Sequence, residues 1–468
     1  MRKGIFYLIF TIFFLFNINL MAQMGQMVRY YPNDPYFKYQ TYLHNEYNNM
    51  EDIGYLPYYN YFMEHKKEIL DKYKAIKGAL PVLAILDRDY DLFDKDLTDR
   101  IWKNTGEEYE KAYNGKDDDG NGWVDDYSIM NFIDKKVYPA RGGRSEAAET
   151  GFLFFPGGAD LYDTKYPPTD LFLSSPDYHG HYMALLAGAE QDNGIGWHGI
   201  LPNEIKILPL TIRHKTTPDV SVSNIAARDA LDYVQDMKAK GLLNIVAVNM
   251  SFDTSFPGDN YFGFDITFGK GAFEAKLKQL NDNGIAYVVA AGNDAHDIDI
   301  QKQYPASFNQ PNGIVVAAAA SYNAIRAWFS NVGKNTVDIF TIAEKDTKLF
   351  EYNYKTTKGF YSTTGGDVNS TLSATAITSA IYTIASLLYP ECNHLQVKRM
   401  LLDSYMDKEN LYGLTKAFYG MKHDGITRLS GEGRNGLGNL IGLVTRDTDA
   451  GEQDYHLNIE LRKKICGR

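Results

Sequence analysis

Ser370-Thr371-Leu372-Ser373-Ala374-Thr375-Ala376 leads into an apolar helix pattern, Ile381, Ala385, Leu387 and Leu388, that runs out at Tyr389-Pro390-Glu391. Upstream of it the chain alternates two periodicities. Residues from about Tyr58 to Lys77 carry polar and apolar side chains at helical spacing and stop at Gly78, and Pro81 to Leu86 is a continuous apolar run of buried-strand type. Glu204 to Ile212 and Leu243 to Met250 read as strands around a helix from about Val222 to Lys238. A helix from about Ala272 to Asn281 precedes strands at Ala286 to Ala290 and Val315 to Ala320. Strands alternating with helices predict an α/β fold, a central and mostly parallel sheet with helices on both faces. Function in such sheets sits at the carboxyl ends of the strands, and Asp87, Asn293 and the Leu372 segment all fall at a strand end or a helix start.

The chain has 468 residues, 44% of them hydrophobic and 23% charged, enough for one large core. A formal charge of -11 without a basic segment argues against a nucleic-acid partner, since phosphate binding needs concentrated lysine and arginine. Met1-Arg2-Lys3, the apolar run Gly4 to Leu20 and the small Ala22 form the three regions of a secretory signal, with cleavage expected after Ala22. Residues 1–22 are thus read as a signal peptide. No later apolar stretch is long enough to span, so the mature chain is expected to have no transmembrane segment. Cys392 and Cys466, the only cysteines, exclude a disulfide framework and allow one staple. Residues 23–445 read as one domain with loop-rich insertions at about 98–177, and residues 446–468 as a short polar tail.

Within those insertions, Asp117-Asp118-Asp119-Gly120-Asn121-Gly122-Trp123-Val124-Asp125-Asp126 has the spacing of a calcium loop of EF-hand type. Asp117, Asp119 and Asn121 offer oxygens at alternate positions, Gly122 is sixth, Trp123 seventh and Asp125 ninth. The twelfth position is Ser128 where a glutamate is usual, which leaves the ligand set incomplete.

Ordered motifs along the chain resemble those of the subtilisin-like serine peptidase family, over about Pro32 to Leu443. Pro32-Asn33-Asp34-Pro35-Tyr36-Phe37 with Gln40 is similar to its mature amino-terminal strand. Ala84-Ile85-Leu86-Asp87 is similar to the strand that delivers its catalytic aspartate, and His179-Gly180, with Ala184, Ala187 and Gly188, to its catalytic histidine helix. Gly196-Trp197-His198-Gly199-Ile200-Leu201-Pro202 follows in order, and Asn193-Gly194-Ile195-Gly196 resembles a second calcium loop of the family. Val248-Asn249-Met250-Ser251-Phe252 resembles the substrate-pairing strand, and Val289-Ala290-Ala291-Gly292-Asn293 the oxyanion-hole segment; Tyr304-Pro305-Ala306 and Phe329-Ser330-Asn331 come next. The resemblance implies a subtilisin-like fold in which His179 would take a serine proton, Asp87 would hold its imidazole, and Asn293 would bind the oxyanion. Asn249, Ser251 and Asp253 would line the substrate strand, with Val248 to Ser251 as an edge for strand addition.

The same register places Leu372 where the family carries its nucleophilic serine. A leucine has no proton to give up and no oxygen to attack with. Further departures surround it: Asp87-Arg88-Asp89 replaces Asp-Ser/Thr-Gly, His179-Gly180-His181 replaces His-Gly-Thr, and Ser251-Phe252-Asp253 replaces Ser-Phe-Gly. Ile342-Ala343-Glu344 replaces Ala-Pro-Gly, and Ser370 replaces a glycine that normally lets the backbone approach substrate. Pro32 also follows Ala22 closely, leaving little room for an inhibitory pro-segment. The resemblance therefore implies a secreted, catalytically degenerate member that binds a protein or peptide as part of a bacterial envelope complex, whether periplasmic, outer-membrane-associated or extracellular. Two rival readings are an active serine endopeptidase using Ser373 or Ser370, and a purely structural subunit.

Overall fold

Leu83 and Ile85 pack into one apolar layer and Val82, Ala84 and Leu86 into another, so the first strand, β1 (Val82–Arg88), is buried on both faces. That is what a continuous apolar run produces at a side-chain period of two. The computed structural model of the protein describes residues 30–44, 52–88, 90, 94–111, 114–128, 130–132, 179–213, 220–253, 270–308, 310–320, 326–344, 354–355, 361–362, 370–403, 444–446, 455–457 and 459–467. Helix α1 (Tyr55–Lys77) precedes β1, and the two-residue β2 (Met130–Asn131) follows it. The chain continues through α2 (His179–Gly188), β3 (Lys206–Arg213), α3 (Val220–Ala239) and β4 (Ile245–Met250). Helix α4 (Lys270–Asp282), β5 (Ala286–Ala290), β6 (Gly313–Ala320) and β7 (Ile339–Glu344) complete the sheet.

The seven strands lie in the order β2-β3-β1-β4-β5-β6-β7, and every pairing is parallel. The α/β subtilisin-like architecture expected from the sequence is the one present. One face carries α1, α2 and α5 (Thr371–Leu388), where Met183, Leu186, Ile377 and Ile381 meet Leu83, Ile85 and Val288. The other carries α3 and α4, where Leu231, Val234, Phe273 and Leu277 meet Leu86, Val248 and Val289. After β1 the chain runs through β2 and β3 on one side of it and then crosses to β4 on the other, so the strand order reverses at β1. A crevice at the carboxyl ends of the strands is expected at such a switch point, and Asp87 sits there.

Helix α5 passes through the interior and buries nearly its whole length, hydroxyl side chains included. Thr375, Thr378, Ser379 and Thr383 each donate to the carbonyl four residues back, which removes the cost of burying an unpaired hydroxyl. By length and composition α5 is the one helix among the described residues that could cross a membrane, but 94% of that window is buried inside the protein.

Three expectations are corrected. Residues 32–40 form no strand: they hold a short 3-10 turn, Phe37–Tyr39, and are tied to the loop at 192–198 by Asn33, Asp34 and Gln40. Val248 to Met250 offer no edge, because β4 pairs β1 on one side and β5 on the other. Among the described residues of the segment read as a polar tail, 455–457 form a strand and 459–466 a helix. Strands β8 (Tyr354–Lys355) and β9 (Tyr361–Ser362) make one small antiparallel pair; after α6 (His394–Asp403), β10 (Val444–Arg446) pairs β11 (Tyr455–Leu457) and α7 (Ile459–Cys466) follows. A Cys392–Cys466 disulfide and an ion pair between Arg462 and Glu391 fasten α7 to the domain, and Ile465 joins the core. Residues 1–22 and Asp89 lie outside the described residues.

Candidate functional site

Asp87 is the sixth residue of β1 and, counting by twos from Ile85, belongs to the face that carries α2 and α5. The N–H of His179 Nδ1, at the first residue of α2, donates to Asp87 Oδ1 at 2.8 Å. The Arg88 backbone N–H donates to the same oxygen, also at 2.8 Å. Gly180 makes this approach possible: a Cβ there would lie 2.6 Å from the Arg88 carbonyl oxygen and 2.9 Å from Asp87 Cβ. With Nδ1 held by the carboxylate, the imidazole presents Nε2 as its acceptor. That atom is buried and has no hydrogen-bond partner among the described residues, and the same is true of Asp87 Oδ2. His181, the departure two residues along, is buried and bonded through Nε2 to Asp94 at 2.9 Å. It makes a second histidine–aspartate pair beside the first.

Asn293 lies just beyond β5. Its Oδ1 accepts from both the backbone N–H and the hydroxyl of Thr371, each at 2.9 Å, and the Thr371 hydroxyl in turn accepts from the Gly292 N–H at 3.1 Å. With its oxygen so engaged, the exposed side-chain amide keeps its N–H groups for a ligand, the polarity an oxyanion requires. Asn331, fully buried, shapes this loop by donating to the Ala291 carbonyl and accepting from the Asp294 and His296 N–H groups. Sequence reasoning placed Asn293 but assigned no role to Thr371 or Asn331, whose functions depend on contacts across distant loops.

Leu372 is the second residue of α5, half-buried and packed against the apolar layer. Its carbonyl accepts from the Ser251 hydroxyl at 2.8 Å. Ser370 is the helix N-cap: its Oγ accepts from the Ser373 N–H at 3.2 Å and lies 3.3 Å from the Ser373 hydroxyl. Both serines are buried, and neither reaches His179 Nε2. Asn249 and Ser251 are buried as well. Asn249 Oδ1 accepts from Ser251 and from Ser379, so these two side chains staple β4 to α5 rather than face a ligand. Asp253 is exposed and accepts from Gln303 at 2.8 Å.

The acidic loop stands apart from this cleft. Asp117 carboxylate oxygens accept from the Asn121 and Gly122 N–H groups, and Asp119 accepts from Asn121 and Asn104. Trp123 points its ring into the core while its backbone N–H donates to Asn121 Oδ1. Asp125 is turned away and caps the N–H groups of Asn114 and Gly115. Glu107, outside the loop motif and therefore missed from sequence, is the acid that joins the cluster: one carboxylate oxygen each from Glu107, Asp117 and Asp119 lie within 4.8 Å of one another. Burial pushes the Glu107 carboxyl up to about 7, against the pull of the Asp118 N–H. Below them Asp126, fully buried, accepts from Asn104, Asn121 and Tyr233; burial pushes it up to about 6.

The loop containing Asn193 is closed by protein donors. Asn193 and the Trp197 N–H donate to Asp96, whose carboxyl burial pushes up to about 8. Nearby, Asp34 Oδ2 bonds His198 Nδ1 at 2.6 Å and His198 Nε2 bonds the Tyr55 hydroxyl at 2.7 Å, all of it buried.

A buried aspartate at a strand end orienting a helix-borne histidine, with an asparagine anchored to the first turn of a buried helix, is the framework of a subtilisin-like site. The sequence profile of the Subtilase family matches residues 78–433, and the chain belongs to that family. Among solved structures it is similar to a protease from Pseudoalteromonas arctica PAMC 21717, with TM-score 0.51 at 18% identity, over 88% of this chain and 98% of that one. The epidermin leader peptide processing serine protease of Staphylococcus aureus gives TM-score 0.44 at 15% identity, over 80% and 79% of the two chains. The A-subunit of the AB5 toxin from E. coli gives 0.44 at 16% identity, over 82% and 97%. At such identities the likeness concerns the fold. No curated protein matches the sequence.

Proposed function

We propose that this protein is a secreted pseudopeptidase, a subtilase that has kept its cleft and lost its nucleophile, and that it holds a protein or peptide partner in a bacterial envelope complex. One observation carries the reading. His179 is oriented by Asp87 as a general base would be, yet its Nε2 meets no hydroxyl among the described residues, and the residue at the nucleophile position is Leu372. The active-peptidase reading would require Ser370 or Ser373 to turn toward His179, breaking the N-cap of α5. The acidic loop is proposed as a calcium site, its oxygen-rich donor set suiting a hard cation.

With β4 paired on both sides, an extended ligand would pair with the backbone beyond Met250, at Ser251 to Asp253. The exposed Asp253 would then repel acidic side chains. A peptide array analysed by mass spectrometry should show retained peptides that are intact and depleted of aspartate and glutamate. Empty arrays, or enrichment of acidic sequences, would contradict the cleft-binding role.

Export is part of the proposal, and it rests on the three-region amino terminus. Sequencing of the mature protein from its host should begin near Gln23. Recovery of Met1 in the membrane fraction would replace secretion with anchoring.

A further inference from the structure

We propose that Glu107 is a ligand of the cation held by the acidic loop, replacing the carboxylate that the loop's twelfth position, Ser128, does not supply. This rests on the calcium reading of that loop. Glu107 is 0% exposed, in a 3-10 turn (Thr105–Glu107) that precedes the loop in sequence. Its two oxygens have different surroundings. Oε1 accepts from the Asp118 N–H at 2.7 Å and so holds the backbone of the loop. Oε2 is buried without a partner among the described residues, although a carboxylate oxygen kept from water requires a donor or a cation.

The acids that flank this side chain supply negative charge and no hydrogen. Asp117 and Asp119 each place a carboxylate oxygen within 4.8 Å of Glu107's. A group of three oxygens at that separation brackets a divalent ion at calcium–oxygen distances of about 2.4 Å. Chain packing maintains the approach independently of the charges. Gly106 leaves room for Asp119, since a Cβ there would fall 2.5 Å from Asp119 Cβ, and Asn104 donates to Asp119 at 2.9 Å from the start of the same turn. Asp125, which the EF-hand spacing would recruit, caps the backbone N–H groups at 114 and 115 and is not among the three carboxylates that converge. The site so formed is not an EF-hand copy. It is a clamp between two segments, with one jaw at Glu107 and the other at Asp117 and Asp119.

Terbium is a suitable probe because it takes calcium's place on oxygen ligands and is sensitised by a nearby indole, here Trp123. In the full mature chain, Tb3+ luminescence excited through tryptophan should saturate and be displaced by Ca2+. Glu107→Gln, which keeps the size and removes the charge, should weaken both metals about tenfold or more. Affinity unchanged in a Glu107→Gln protein that melts like the parent in chelator would overturn the role of Glu107 while leaving the calcium reading intact. Absence of terbium binding by the parent would overturn both. If Glu107→Gln does not fold, anomalous scattering from terbium in crystals of the unmodified protein decides: a Glu107 oxygen bonded to the metal is expected, and a metal on Asp117 and Asp119 without it refutes the assignment.

Discussion

Purified protein is expected to leave casein and peptide anilides intact and to take no label from a fluorophosphonate probe. Such probes need a serine oxygen activated by its neighbouring histidine, and Leu372 supplies none. Loss of a triad nucleophile costs on the order of a million-fold in turnover, and what an oxyanion hole alone contributes is below the reach of an ordinary assay. Leu372→Ser alone should also stay inactive, since Asp253 and Ser370 still occupy positions where the family carries glycine. Stoichiometric labelling of Ser370 or Ser373 in the unmodified protein would restore the peptidase reading, because it would show that the N-cap of α5 opens and that one of its hydroxyls reaches His179.

Removing the Cys392–Cys466 bridge should produce a large loss of stability. The bond spans a sequence separation of 74 residues, and closing a loop of that length restricts the unfolded chain by about 4 kcal/mol in the chain-entropy account. Cys392→Ser should therefore shift the denaturant midpoint well below that of the oxidised parent, and reduced parent should move with it. An unchanged midpoint would mean that Arg462–Glu391 and Ile465 hold α7 unaided.

Five of the seven strands are legible in the sequence because each is an apolar run bounded by helical spacing, while β2 and β7 are not: Ala286 to Ala290 is read to the residue, and α3 and α4 to within two residues at each end. The same periodicity located Asp87, Asn293 and Leu372, since a strand's end and a helix's start are local properties of the chain. What escaped was non-local. Whether β4 is an edge depends on which strands flank it, and no pattern within Val248 to Ser251 encodes that. The role of Glu107 depends on how a turn folds back over a loop ten residues away, and that of Thr371 on which loop meets the helix. The EF-hand spacing names Asp125 as a ligand, yet its carboxylate is folded back onto the N–H groups at 114 and 115, away from the oxygens of Glu107, Asp117 and Asp119.

The buried Nε2 of His179 also gives the protein a built-in reporter. A lone imidazole nitrogen with its opposite edge fixed by Asp87 has one environment in the empty cleft and another as soon as any hydrogen-bond donor arrives beside it. Its nitrogen-15 resonance would register an occupant whatever that occupant is. In an active relative the serine hydroxyl would fill this position and mask the signal. With Leu372 at that position, a shift of the nitrogen on titration would report binding, so spectroscopy could look for the natural ligand without first guessing its identity.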